Sequence, residues 1–350
     1  MLVRSLRTMH PAVAIAAAVV ATAIPCAAQT VAKSQAPKAK YAVPRTADGK
    51  PDLQGVWDFR TVTPMERPSD LAGKAVLTDE EAAEFETKNA RNQDNREQTS
   101  RGSINGAPTN SDVERAYNDF WWDFGKKVVG TKQTSLVVDP ADGRIPAVTP
   151  EGQQRATQRR AARERPAIGP EDRGVGERCI LGFNSGPPMV PSAYNNNFLM
   201  VQSKDHVVIL NEMVHNARVV PLDGRPHINS GVRQWVGDSR GHWDGDTLVV
   251  ETTNFLGETA FQNSSANLTL VERFTRVDAD TLLYEFTVSD PTTWTKSWTA
   301  RVPMRKTTEQ MYEYACHEGN YGMPNLLSAA RAVEKAQSAP PNKEIGRAHI

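Results

Sequence analysis

A mainly β fold is what the sequence predicts: an antiparallel meander curling into a barrel, with helices on its outside. Three observations carry this. Past residue 197 the chain becomes a series of short β-branched runs, at 198–202, 206–213, 217–221, 247–253, 268–277, 281–288 and 294–302. Turn residues separate them, among them Asp223-Gly224, Asp244-Gly245 and Asp278-Ala279-Asp280, at the spacing of about ten residues that marks hairpin-built sheets. The stretch LTLVERFTRVDADTLLYEFTVSD (residues 268–290) alternates apolar and polar residues on both sides of one turn, so each strand has a dry and a wet face.

The elements follow in order. Residues 1–28 carry Arg4 and Arg7, then an Ala/Val/Ile run, then Pro25-Cys26-Ala27-Ala28, which reads as an export signal cleaved near Ala28. The apolar run is too short to span a bilayer, so no membrane insertion is expected. Residues 29–50 are rich in Ala, Lys and Pro and read as a flexible leader. Residues 51–59 make a first strand. Thr78 and Glu81 form a capping-box pattern that opens a helix to about residue 90. Residues 91–111 read as a polar loop, and 112–124 as a helix anchored by Trp121 and Trp122. Residues 134–149 suggest a hairpin turning at 140–143. A basic helix near 155–165 follows Thr149, its arginines a solvated face. Residues 179–197 are loop-rich, with Gly182, Gly186, Pro187, Pro188 and Pro191. A helix at 323–336 and a polar tail at 337–350 end the chain. No long linker interrupts 51–336, so one domain with a helical insertion at 78–165 is expected.

Charge is balanced, with 41 basic and 41 acidic residues. Losing Arg4 and Arg7 with the signal leaves 39 against 41, a net −2. That gives no argument for nucleic acid or an anionic membrane as partner. Two cysteines remain, Cys179 and Cys316, and in an oxidising compartment they are most simply a disulfide. Nucleophile-elbow, phosphate-loop, dinucleotide and haem motifs are absent, and export argues against a nicotinamide cofactor.

Gly55-Val56-Trp57 on the first strand, ahead of an up-and-down meander, resembles the Gly-x-Trp signature of lipocalin-like barrels, in which the Trp plugs one end. The stretches GKPDLQGVWDF, CILGFNSGPPMVPSAYNNNF, ARVVPLDGRPH, GHWDGDTLVVETTNF, DPTTWTKSWT and YACHEGNYGM together resemble a widespread family of secreted bacterial proteins. These resemblances imply export and a lipocalin-like β-barrel. They imply no activity.

Candidate chemistry gathers between residues 211 and 255 and around Cys316. Five of the six histidines outside the signal fall between His206 and His317. Imidazole can take and give a proton near neutral pH, and guanidinium holds carboxylates in a bidentate grip. His215 or His317 is the expected base, His227 and Tyr194 the candidate acids, and Arg218 and Arg233 the anion anchors. A Cys179–Cys316 bridge would bring Asn184 and Tyr194 to the loop carrying His317, Glu318 and Tyr321, forming one substrate-binding mouth. Trp243 reads either as a stacking platform or, more simply, as a core edge beside an Asp-Gly turn. His215, His227 and His317 with a water could form a zinc shell, yet no His-Glu-x-x-His spacing occurs, and no cofactor is expected. The leading expectation is an exported hydrolase or lyase for a small polar or aromatic molecule. The alternatives are a non-catalytic periplasmic carrier and a structural envelope module.

Overall fold

The alternation at 268–290 builds a long, regular hairpin. In a computed structural model describing residues 41–100, 123, 125–257 and 261–338, Thr269–Arg276 (β8) pairs with Thr281–Ser289 (β9), setting Phe274 opposite Tyr284. The other strands are Gly55–Asp58 (β1), Val137–Asp139 (β2), Asn197–Gln202 (β3), His206–Asn211 (β4), Ala217–Pro221 (β5), Asp238–Asp244 (β6), Thr247–Thr253 (β7) and Trp298–Thr307 (β10). All ten form one antiparallel sheet, ordered β5-β4-β3-β1-β10-β9-β8-β7-β6, with β2 added beside β10. Among the described residues three α-helices accompany it: Asp79–Ser100 (α1), Pro150–Glu164 (α2) and Gly322–Ser338 (α3). The described residues belong to one compact unit that begins at Tyr41.

The expected closed barrel is not what forms. The hydrogen-bonded path ends at β5 and at β6, and no ladder joins them. The two border strands still lie close. A methyl group on Gly241 of β6 would stand 2.9 Å from Val220 Cγ1 and 2.7 Å from Leu222 Cδ2, so any side chain there would have to push these two aside. The inner face is packed with fully buried side chains, among them Trp57, Phe198, Ile209, Tyr284, Phe286 and Trp298. Each large apolar side chain taken from water contributes about 1.5–3 kcal/mol.

One buried ion pair crosses this core. Arg218 on β5 reaches Glu272 on β8, with Nη2 donating to Oε1 at 2.9 Å and Nη1 to Oε2. The Tyr284 hydroxyl donates to the same carboxylate at 2.7 Å and accepts from the Met189 amide at 3.2 Å. Burial, then the Glu272 charge, pushes the Tyr284 phenol well above its ordinary value. Burial opposes the charge on Arg218, but Glu272 outweighs it and raises the guanidinium further. Such a pair costs several kcal/mol per ion in desolvation, which mutual attraction and the extra hydrogen bonds offset. It fastens a border strand to the far wall of the sheet.

The end of the sheet bearing Gly55 and Gln202 is shut by short turns and by Trp57. Trp57 Nε1 donates to the Leu53 carbonyl at 2.9 Å, and the Arg276 guanidinium lies 5.9 Å from the centre of the indole ring. Arg276 itself donates to the carbonyls of Asp52 and Ala279.

Elsewhere the structure departs from sequence expectation in four places. α1 runs to Ser100 instead of ending near 90. Its capping box is present, with Glu81 N donating to Thr78 Oγ1 at 3.2 Å and Thr78 N to Glu81 Oε2 at 2.9 Å. The polar stretch beyond it contains Arg, Gln and Glu, which favour helix as well as water. The hairpin at 134–149 does not form. β2 pairs with β10, the Leu136 and Val137 amides donate to Pro64 and Met65, and Pro146 deprives the opposite run of a donor. β6 was missed because its polar residues, Asp238, Arg240 and His242, hide a strand read as loop and turn. Finally, the leader expected to 50 is already held from residue 44, through Asp52 N to the Pro44 carbonyl and the Arg45–Pro51 bridge. The signal at 1–28, the leader to residue 40, the polar loop past residue 100, the helix at 112–124 except Asp123, which is not helical, and the tail past 338 lie outside the described residues.

α2 begins as expected, with Thr149 Oγ1 accepting from Gly152 N and Pro150 in its first turn. Its arginines are not merely a wet face. Arg155 donates to the Asn263 carbonyl at 3.1 Å, and Arg159 to the carbonyls of Gly257 and Ser264 at 2.5 and 3.2 Å. α2 therefore clamps the loop that follows β7.

Candidate functional site at the loop-lined end

Opposite the turn end, long connections meet over the sheet. The Cys179–Cys316 disulfide forms as expected, with Cα atoms 5.6 Å apart. It ties the segment after β10 to the loop before β3. Asn320 Nδ2 donates to the Glu177 carbonyl at 2.9 Å, Tyr314 stacks on Tyr194 with ring centres 6.2 Å apart, and the Tyr312 amide donates to buried Glu212 at 3.1 Å. Inside this strap, residues 180–189 plug the sheet. Gly182 presses on Met213, Asn211 Nδ2 donates to the Ser185 carbonyl at 2.7 Å, and Met189 reaches the core.

The most organised polar group here is centred on His227. Its Nδ1 lies 2.8 Å from Asp238 Oδ2, which also accepts the Ile228 amide at 3.0 Å. Arg240 Nη1 donates to Asp238 Oδ1 at 2.6 Å, while Arg240 Nε holds the Pro226 carbonyl at 3.0 Å. Asp238 is buried and His227 is 28 % exposed. A carboxylate can only accept, so Nδ1 is the donor in this contact and Nε2 is the ring nitrogen that Asp238 does not engage. Among the described residues Nε2 has no hydrogen-bond partner. Asn254, held in the left-handed region at φ 57°, braces the loop by donating to the Ile228 carbonyl at 3.0 Å.

Three residues before Asp238, Trp235 lines a pocket of about 170 Å³ that is open to solvent. Leu181, Phe183, Pro187, Pro188 and Phe261 complete its walls, with Gln262 at the side. A larger cleft of about 580 Å³ lies along α1, but its charges are largely taken up by one another, as in the Lys127–Glu86 and Lys132–Asp79 pairs.

The expected site residues divide. Tyr194, Asn184 and the Cys316 loop do come together at this end. Asn184, buried, spends its Nδ2 on the Tyr194 and Asn195 carbonyls and on Asn196 Oδ1. Burial, then Tyr314, pushes the Tyr194 phenol up to about 12, which makes it a hydrogen-bond donor and a poor proton source at neutral pH. His215, His317, Glu318 and Tyr321 are exposed. Among the described residues no three His, Cys, Asp or Glu side chains are grouped to hold a metal, so His215, His227 and His317 make no zinc shell. Arg218 is unavailable as an anion anchor because Glu272 occupies it inside the core. Arg233 is engaged by the Phe255 and Ala266 carbonyls, at 3.2 and 2.5 Å. Trp243 packs against the core beside the Asp244-Gly245 turn, the plainer of its two readings.

Asp238, Arg240, Phe183, Trp235 and Phe261 were not singled out by the sequence reading. Phe183 and Trp235 carried a usable signal: large aromatics in glycine-rich loops, where no strand alternation demands them. No family model, curated protein or solved structure matches this chain. Among the described residues no helix is long and apolar enough to cross a membrane.

Proposed function

We propose that the protein is an exported hydrolase or lyase acting on a small polar or aromatic molecule, with His227 as its general base. The single observation behind this is the His227 Nδ1–Asp238 contact at 2.8 Å on a buried carboxylate. A carboxylate behind an imidazole fixes the tautomer and stabilises the imidazolium formed when Nε2 takes a proton. Arg240 and the Ile228 amide keep that carboxylate in place. The reading is direct proton abstraction from substrate or from a water, which in general contributes about 10²–10⁴ in rate. Export is supported by the disulfide and by the signal-like first 28 residues. We read the curled sheet as a lipocalin-like barrel left open along one side.

The test is turnover of a panel of aryl esters, lactones and β-hydroxy acids by the wild type, His227→Gln and Asp238→Asn. The expected result is a rate lower by about 10²–10⁴ for His227→Gln, with most of that loss shared by Asp238→Asn. Equal rates for wild type and His227→Gln on every substrate turned over would remove His227 from the chemistry. A second reading, a carrier, is favoured by the pocket of about 170 Å³ that Phe183, Trp235 and Phe261 line. The two part on whether anything is turned over at all.

A further inference from the structure

Resting on the reading of His227 as base, we infer that Asn254 is its positioning residue. One side chain at the end of β7 sets where the imidazole stands against Asp238.

The residue type matches two demands at once. Asn254 is buried and sits in the left-handed region at φ 57°. That backbone is costly for most side chains, and asparagine is one of the few that take it readily. Its amide nitrogen also carries two donor hydrogens, which aspartate and glycine lack.

The donors are spent on the loop that carries His227. Asn254 Nδ2 donates to the Ile228 carbonyl at 3.0 Å and to the Asn229 carbonyl at 3.5 Å. Ile228 is thereby pinned on both sides, because its own amide donates to Asp238 Oδ2 at 3.0 Å. The same oxygen faces His227 Nδ1 at 2.8 Å. Upstream, Arg240 Nε holds the Pro226 carbonyl. His227 therefore stands between two fixed neighbours, one held by Arg240 and one by Asn254.

The backbone of Asn254 completes the arrangement. Its carbonyl accepts from the Gln234 amide at 3.0 Å, and the Leu256 amide donates to the Gln234 carbonyl at 2.8 Å. Residues 228 and 234, the two feet of one loop, thus rest on one short segment. The carboxylate is gauged from the same place. Thr253 lies opposite Asp238 in the β6–β7 ladder, and the Ser239 and Thr252 hydroxyls meet at 2.9 Å. Loop and carboxylate share a strand end as their origin, so the imidazole and its partner are set relative to each other. A misplacement of about 1 Å at such a site can cost on the order of 10² in rate.

Substitutions separate the side chain from the backbone. Asn254→Gly keeps the left-handed conformation at no steric cost and removes the donors. Asn254→Asp keeps the shape and also removes them, so it reports if the glycine variant does not fold. The first readout is proton NMR of the full chain, which needs no turnover. The wild type should show a protected, downfield imidazole Nδ1–H, assigned to His227 by its loss in His227→Gln. Asn254→Gly should lose that resonance while keeping the wild-type circular dichroism. On any substrate the wild type turns over, its kcat should fall about 10–100-fold with KM changed less than about threefold. A retained resonance in Asn254→Gly overturns the inference whatever the rate, and so does its absence from the wild type. A lost resonance with an unchanged rate upholds the positioning and removes His227 from the chemistry, so the two failures are told apart.

Discussion

The two ends of the sheet are built on different terms. At the turn end the chain reverses through short local devices: Ser203 N to the His206 carbonyl, Val277 N to the Thr281 carbonyl, Asp280 N to Asp278 Oδ1, and Gly245 at φ 58°. There the left-handed residues are glycines, which adopt that conformation at no steric cost. At the loop end Gly186 and Gly237 also take positive φ, but so do Cys179, Asn195, Val214, His215, Asn254, Gln262 and Asn263, none of them glycine. Val214 is β-branched and pays most for it. The Asn184 and Asn211 Oδ1 atoms are buried there without partners among the described residues. One end satisfies its backbone locally. The other holds strain and open hydrogen-bonding capacity under long-range constraint, the condition in which functional residues are usually found.

The largest expected effect comes from cutting that constraint. Reducing the disulfide, or replacing Cys179 and Cys316 with Ser, should cost about 4–5 kcal/mol of stability in the chain-entropy account. Hydrogen exchange should then quicken at 176–197 and 308–321 and stay unchanged in the turn at 277–281. Equal quickening at both ends would erase the contrast. Next is the core beneath the plug. Glu272→Leu should cost about 3–5 kcal/mol in urea unfolding, because it strands the Arg218 charge. Arg218→Met added to it should restore most of the loss, and no recovery would mean the pair is not the coupled unit described.

A third effect is acid-dependent. Burial would raise the Asp290 carboxyl, yet the donors Thr293, Ser265 and Thr292 hold it below the usual carboxylate range. A depressed folded-state value means that its stabilisation is present above the ordinary carboxylate pKa and is lost as pH falls through the lower, folded value. Asp290→Ala should cost about 1–3 kcal/mol near neutral pH and flatten the acid limb of the stability profile. An unchanged acid limb would deny the linkage. The smallest effect compares the ends directly. Val214→Gly should stabilise by about 1 kcal/mol, whereas Gly245→Ala should destabilise by a similar amount. Opposite signs sharpen the contrast, and equal signs break it.

This difference also explains what could be read from sequence. The turn end was legible because Asp223-Gly224, Asp244-Gly245 and Asp278-Ala279-Asp280 encode their turns within four residues. The strands were legible because alternation is a local signal, and β6 escaped because Asp238 and Arg240 serve a site instead of a face. The gathering of the 184, 194 and 316 loops followed from the cysteine pairing. The site itself was less legible. Arg218 looked like a ligand anchor because nothing local says that Glu272, far along the chain, will claim it. His227 was among the candidates, but its partner Asp238 emerges only once the strand is known.

β5 and β6 are consecutive in the chain yet occupy opposite borders of the sheet, so residues 222–237 thread across its one unladdered gap. That thread carries His227 and Trp235. A border without ladder bonds breathes at lower free energy than the walls around it, because fewer cooperative contacts must open together. The imidazole and the indole therefore ride on one connection, and any local opening of it would move both without melting the walls.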